Sequence, residues 1–378
     1  MHPFPMISGR PCVPRPLLDI DARQASPDAR LVVSRASTAG YMDSDGVYKT
    51  VAIDAPRLVS GKGLLIEAAS SNLIVWARDL TRSNWVKTSI TAAKDQAGID
   101  GAASAASSLT ATADGGSAVY GVGSYYGSNW CFSVYIRRVS GSGAVSVTLN
   151  GGTTWAAVAV TDAWTRLAFV GTTGNVGIRL AKACDVVAVD GAQLEYYGGN
   201  RVILPTSAIM TSGSALTRAA DVVTLNVAGL DLSAFSLRVD HIVPVDPAGR
   251  GYAQALSVSN GTDGNSLDAG IFAAATNNFF SQLQVGGSAA TWTASANYPA
   301  SWGGVVRNAV TLASGRFAHA ANGLIAAATG TPPTTPPAFD RLQFNTRGAG
   351  GYNGAMILQR FMFWQVPLHD EHLRRISE

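Results

Sequence analysis

From Ser117 to Glu195 the chain is cut into short apolar runs: "SAVYGVG", "NWCFSVYIRR", "GAVSVTLN", "TWAAVAVT", "WTRLAFVGT", "NVGIRLA" and "DVVAVDGAQLE". Each is a few residues long and is bounded by Gly, Ser, Asn or Asp. "FSVYIRR" and "AVSVTLN" alternate, the period of a strand with one buried face. Short strands at such spacing, with almost no helix between them, predict an antiparallel sandwich. The second half repeats the style in "FSLRVDHIV", "YAQALSVSN", "FFSQLQVGG", "RNAVTLAS" and "AMILQRFMFWQ". Upstream, "LLIE" and "NLIVWA" also read as strands. Asp45-Gly46 and Asn322-Gly323 stand between apolar arms, and both pairs tolerate the positive φ angles of tight hairpin turns. "DLTRSNW" suggests a single helical turn capped by Asp79. A true helix is expected only in "LHDEHLRRISE", where Leu368, His372 and Ile376 recur at helical spacing behind Pro367.

A chain of 378 residues is too long for one ordinary core, so two domains and an extension are expected. Charged residues make up 14%, against about 25% in an average soluble protein. The surface is therefore expected to be covered by hydroxyls and amides, which suits sheets that pack side by side. No basic run interleaves with aromatics, so no nucleic-acid footprint is present. No apolar stretch approaches the roughly 20 residues that span a bilayer, and membrane insertion is not expected. Prolines interrupt "MHPFPMISGRPCVPRPLL" where a signal peptide needs a continuous apolar core, which points to assembly in a cytoplasm. The same prolines forbid a helix, and residues 1 to about 30 read as an extended arm. Cys12, Cys131 and Cys184 are too few and scattered for a disulfide framework. Cys131, in "WCFSVYI", reads as a small core residue.

Several ordered motifs resemble a recurrent module of tailed bacteriophages. They are Ser34 to Ala39 (SRASTA), Gly63 to Glu67 (GLLIE), Asn72-Leu73, Trp85 to Lys87, Gly191 to Glu195 (GAQLE), Pro205-Thr206 and Thr217 to Asp221 (TRAAD). Asp190 stands where that module usually has a Trp. The resemblance covers about residues 30 to 226. The remainder resembles a concanavalin A-like, laminin-G-type sandwich. "RFAHAANGLIAAA" is similar to its hairpin, with Ala320-Ala321 in place of larger residues. Gly354, Ile357, Phe361, Trp364, Pro367-Leu368 and Glu371 take the places of its closing strand and helix.

These resemblances imply an all-β chain: a jelly-roll-like, carbohydrate-binding-module-like sandwich, then a concanavalin A-like sandwich, with an N-terminal arm and a short C-terminal helix. The expected divisions are a docking arm and hairpin over 1–55, the jelly roll over 56–226 and the second sandwich over 227–378. The implied role is a virion structural protein of a tail fibre or head fibre/spike that binds host-surface polysaccharide. The alternative is a purely structural capsid decoration or baseplate protein. The arm would dock on other virion proteins.

Catalysis is not expected. "HDEH" spaces His369 and His372 at i, i+3, whereas a zincin needs H-E-x-x-H. His241 and His319 stand alone in strands, and the acids are too dispersed to nominate a glycosidase pair. No cofactor is expected. Asp263, Asn265 and Asp268 offer oxygens that would suit Ca²⁺ at a sandwich rim, but their spacing fits no loop motif and a polar turn is the plainer reading. Sugar rings stack their C–H faces on flat side chains, so aromatics among Gly, Ser and Asn are the candidate glycan platform: Trp155, Tyr196, Tyr197, Trp292, Tyr298 and Trp302. Core packing or a subunit interface would use such rings equally well.

Low-charge strand faces favour burial between copies, and fibre proteins are commonly trimers, so a homotrimer is expected. Light scattering at micromolar concentration should return three times the 39.2 kDa chain mass; a stable monomer would contradict this.

Overall fold

The computed structural model describes residues 12–122, 130–196, 205–244, 252–272, 278–294, 303–350 and 354–378. Within them the alternating runs form strands of two antiparallel sandwiches, and the expected helix is present as Asp370–Ile376. The first sandwich has one sheet in the order Thr165–Gly171, Trp130–Ser140, Val186–Tyr196, Ala106–Ala111, Ile90–Gln96. Facing it is a second, in the order Ala156–Val158, Val145–Thr148, Asn175–Leu180, Ser117–Gly121, Trp85–Thr88. Alternate residues meet between them, with Trp85, Tyr120, Trp130, Phe132, Ile178 and Leu194 in one core. Cys131 is fully buried, and burial pushes its thiol up to about 12.

The second sandwich is built from both ends of the chain. One sheet runs Leu324–Ile325, Arg316–Ala321, Val305–Ala313, Phe235–Ile242, Ala355–Trp364, Gly63–Glu67, Arg57–Val59, and Leu18–Asp21 also pairs with Ala355–Trp364. The opposite sheet begins with Leu31–Ser34 and Val222–Leu225 and continues through Arg341–Phe344 to Ala327–Gly330. Ile20, Leu31, Leu64 and Ile66 therefore share a core with Phe235, Leu342 and Phe363. The helix lays Leu373 and Ile376 beside Trp364; His372, expected on its apolar stripe, is only half-buried.

The domain boundaries thus differ from those drawn on the sequence. The segments placed in a docking arm (1–55) and at the start of the jelly roll (from 56) supply strands to the C-terminal sandwich, because their apolar alternation matches its core. The jelly roll is an insertion between Glu67 and Val222. Its entry and exit pair with each other, Ser70–Asn72 against Leu216–Arg218. Two local expectations also change. "NLIVWA" is strand only up to Asn72, whose side-chain oxygen takes the backbone N–H groups of Ile74 and Leu194. "DLTRSNW" is a turn rather than a helix, held by Asp79 accepting from Thr81 and Arg82. Both hairpins form, but only one by the tight turn read from the sequence: Asn322 and Gly323 have φ of 44° and 82°, as a two-residue turn of this hand requires, whereas Asp45 and Gly46 lie in a longer connection between Met42 and Tyr48 with positive φ at Gly46 alone, 78°.

The insertion is tied down by a buried ion network. Arg57 donates to Glu67, to Asp221 and to Ser207 Oγ, the last at 2.7 Å. Arg35 Nη1 donates to Asp221 Oδ1 at 2.9 Å, and Arg218 Nη2 lies 3.5 Å from Glu67 Oε2. Ser207 closes the ring, its N–H donating to Glu67 Oε1 at 2.8 Å. Alongside, Glu195 accepts from Ser70 Oγ and from the N–H and hydroxyl of Thr206. Gln193 accepts the N–H of Ile209, and Asn72 Nδ2 donates to the carbonyls of Ala192 and Ile209.

Burial alone would raise the Glu67 carboxyl; the charges of Arg57 and Arg218 outweigh it and hold it near about 2. A folded-state pKa below the unfolded one contributes stability that is complete above the ordinary carboxylate range and is lost as pH falls toward about 2. Glu67→Ala, which leaves buried guanidiniums unpaired, should cost about 3–5 kcal/mol in urea unfolding at pH 7. It should also flatten the acid limb of the stability curve; an unchanged acid limb would contradict this reading.

Candidate functional site

The rings nominated from the sequence do not converge. Trp155 lies in the turn ahead of Ala156–Val158, half-buried, with the Arg179 guanidinium 4.9 Å from its ring centroid. Tyr196 ends its strand 47% exposed, its ring 5.0 Å from that of the buried Trp130. Trp292 occupies a strand of the other sandwich, opposite Gln282 and Thr329. Tyr197, Tyr298 and Trp302 lie outside the described residues. Tyr120, in the strand Ser117–Gly121, is core, and its hydroxyl bonds the backbone at Leu73 and Val75.

Each residue considered for calcium has one oxygen engaged, while Asp268 Oδ1 is buried without a hydrogen-bond partner. Asp263 Oδ1 accepts the N–H of Ala349 at 2.8 Å, and Asn265 Oδ1 that of Gly286 at 3.0 Å. Asp268 Oδ2 accepts from Ser266 Oγ at 2.7 Å. The cation beside them is a guanidinium, with Arg347 Nε 3.9 Å from Asp263 and 3.6 Å from Asp268. Burial raises the Asp268 carboxyl above its ordinary value. This donor set does not fit calcium, and among the described residues no cluster of three or more His, Cys, Asp or Glu could hold a metal. His241 and His319 are enclosed in the C-terminal sandwich, and burial lowers them to about 4 and about 3, so both are neutral near pH 7. His369 is exposed at the helix N-terminus.

What the fold does assemble is a cleft of about 490 Å³ where the two sandwiches meet. One wall is the outward face of the C-terminal sheet, where Leu65 pairs across from Ile357, one residue out of phase with the inward Leu64, Ile66 and Met356. The other wall comes from the jelly roll, where Tyr135 and Arg166 are cross-strand partners beside the exposed Ala168. Pro205, Ser207 and Pro244 close the sides. The size falls within the roughly 300–1,000 Å³ of small-molecule sites, and the lining has their usual character: apolar walls with a few convergent polar groups.

Arg166 is held over the Tyr135 ring, 5.3 Å from its centroid. Its Nη2 donates to Ser133 Oγ at 2.9 Å and to the Thr206 carbonyl at 2.7 Å, while Nε has no hydrogen-bond partner. Lys62 stands exposed in the turn leading into Gly63–Glu67. Glu67 is the carboxylate among the lining residues, and both its oxygens are taken by the ion network. The cleft can therefore bind through apolar faces and donors, and among its described lining residues there is no pair of carboxyl groups for acid–base chemistry. Neither Lys62 nor Arg166 stands out in the sequence. The available signal for Arg166 is a lone charge inside the otherwise apolar "WTRLAFVGT"; Lys62 has none.

No family model matches the chain, and no curated protein sequence matches it. Among solved structures, the CBM40 of the Ruminococcus gnavus IT-sialidase bound to α2,3-sialyllactose is similar at 17% identity with a TM-score of 0.32, over 39% of this chain and 84% of that one. The binding domain of botulinum neurotoxin serotype D/C is similar at 16% identity with a TM-score of 0.32, over 42% of this chain and 40% of that one. The NanB sialidase of Streptococcus pneumoniae is similar at 9% identity with a TM-score of 0.31, over 40% of this chain and 25% of that one.

Because Arg347 already occupies the cation position beside Asp263 and Asp268, the melting temperature should be the same in millimolar Ca²⁺ and in EDTA. A rise of several degrees with Ca²⁺ would show that the acids bind it.

Proposed function

We propose that this chain is a non-catalytic virion structural protein of a tailed bacteriophage, part of a tail fibre or head fibre/spike, and that it holds host-surface carbohydrate in the cleft between its sandwiches. The observation that carries the binding part is the cleft itself: open, of small-molecule size, walled by Leu65, Ile357 and Tyr135, and supplied with donors from Arg166 and Lys62. The virion part rests on the motif resemblance. Its support is that SRASTA, GLLIE, GAQLE and TRAAD meet at one junction, so their order along the chain has a structural reason. Of the arm, Val13, Pro14, Leu17–Asp21 and Leu31–Ser34 are used by this chain's own sandwich, and docking on other virion proteins falls to the residues ahead of Val13.

The rival reading, a capsid decoration or baseplate protein without glycan binding, is favoured by the same junction, because the motif residues there are engaged in holding the fold. Ala168→Trp separates the two. Ala168 is exposed at the cleft wall, so an indole there fills the cleft without disturbing either core. Binding to host cells or glycan arrays should fall by about tenfold or more while the melting temperature and assembly are retained. Adsorption unchanged by this substitution would favour the decoration reading.

A further inference from the structure

Among the described residues, the two cations at the cleft have no carboxylate in direct contact. Lys62 makes no side-chain hydrogen bond or ion pair among the described residues, although its carbonyl accepts from Gln359. Arg166 is bound through Nη2 by neutral acceptors, Ser133 Oγ and the Thr206 carbonyl, and no carboxylate pairs with it among the described residues. Glu67 cannot compensate either cation, because Arg57 and Ser207 hold its oxygens. Among the described residues, two cations with no carboxylate in direct contact thus border one concavity whose walls are largely apolar. Low-dielectric walls focus such a field on whatever enters. A neutral sugar needs hydroxyl partners and gains little from fixed cations. An anion gains charge-assisted hydrogen bonds, and a guanidinium presents its donors in a planar fork suited to carboxylate or sulfate.

Resting on the carbohydrate reading of the cleft, we infer that its ligand is an acidic sugar residue, one carrying a carboxylate or sulfate group, with Arg166 and Lys62 receiving the anion and the Leu65–Ile357 wall receiving the ring. Arg166 is preset by its two hydrogen bonds and by the Tyr135 ring beneath it. Lys62, on a turn, supplies the second charge from the opposite sandwich. The site therefore exists only while both sandwiches are in register at the junction.

The test is titration calorimetry on the full chain with oligogalacturonate, sialyllactose and a sulfated galactose oligosaccharide. Each is compared with its neutral counterpart, carboxyl-reduced or desulfated. At least one acidic probe should bind about tenfold or more tightly than its neutral form, and the preference should shrink as salt is raised from 50 to 500 mM, values chosen to bracket a Debye length of about 10 Å. Lys62→Gln, at an exposed position that leaves the fold intact, and Arg166→Gln should each reduce that preference. Which probe responds separates carboxylate from sulfate. Equal binding of the acidic and neutral forms overturns the inference and leaves the carbohydrate reading standing. Acid-selective binding that both substitutions leave unchanged overturns it as well, since the anion is then held elsewhere. No binding of any probe, acidic or neutral, removes both.

Discussion

Arg57 reaches Glu67 on the neighbouring strand and, 150 and 164 residues further along the chain, Ser207 and Asp221. Three guanidiniums, on Arg35, Arg57 and Arg218, meet two carboxylates in a place where none of the side chains is more than 4% exposed. Taking so many charges out of water is expensive, and the cost is met only if every group finds its partners at once. That condition couples the hairpin region, the edge of the C-terminal sheet and the exit from the jelly roll. None of the three can shift without stranding a charge in the interior. Such a network specifies an arrangement more than it adds net stability, the use for which buried ionic groups are best attested.

The consequence is a defined relation between the two sandwiches. An insertion held only by its two crossing strands, Ser70–Asn72 and Leu216–Arg218, could hinge. Here the crossing is also stitched by Asn72, Gln193 and Glu195, which satisfy the backbone of the returning segment around Thr206 and Ile209. Tyr48 adds a second brace, its N–H donating to the Ile99 carbonyl at 3.0 Å and its hydroxyl to the Ala208 carbonyl at 2.6 Å. Gly191 has φ of 54° and packs within 3.3 Å of where Tyr135 and Met210 would meet a Cβ, so a larger residue would crowd the turn. Outward faces of two sheets are thereby set opposite each other, and the gap between them is the cleft. Its chemistry follows from the same junction: Glu67 lies at its edge but is spent on the network, which leaves Lys62 and Arg166 with no carboxylate in direct contact among the described residues.

Much of this was legible in the residues, and for local reasons. Period-two alternation marked the strands, since burying one face of a pleat leaves no other pattern. Asn322-Gly323 marked a hairpin because few residue pairs accept two positive φ angles. The C-terminal helix was visible by its spacing, although the buried positions proved to be Leu373 and Ile376 rather than His372. The sites were not legible. Trp155, Tyr196 and Trp292 share a composition of neighbours but lie on separate parts of the molecule, and composition does not report distance. Tyr120 stands among glycines yet is core, its hydroxyl turned to the backbone at Leu73 and Val75.

The sequence by itself determined that the chain is a β protein with almost no helix, and where most of its turns fall. Those properties depend on residues within a few positions of one another. The tertiary structure alone decided that the N-terminal strands belong to the C-terminal sandwich, because a strand's alternation states that one face is buried but not against what. It alone decided that the charges of the motifs are mutual partners, since Arg35 and Asp221 are 186 residues apart and nothing in their local context names the other. And it alone placed Lys62 and Arg166 across one gap, because a binding site at a junction is made by the packing of two sheets and has no spacing along the chain.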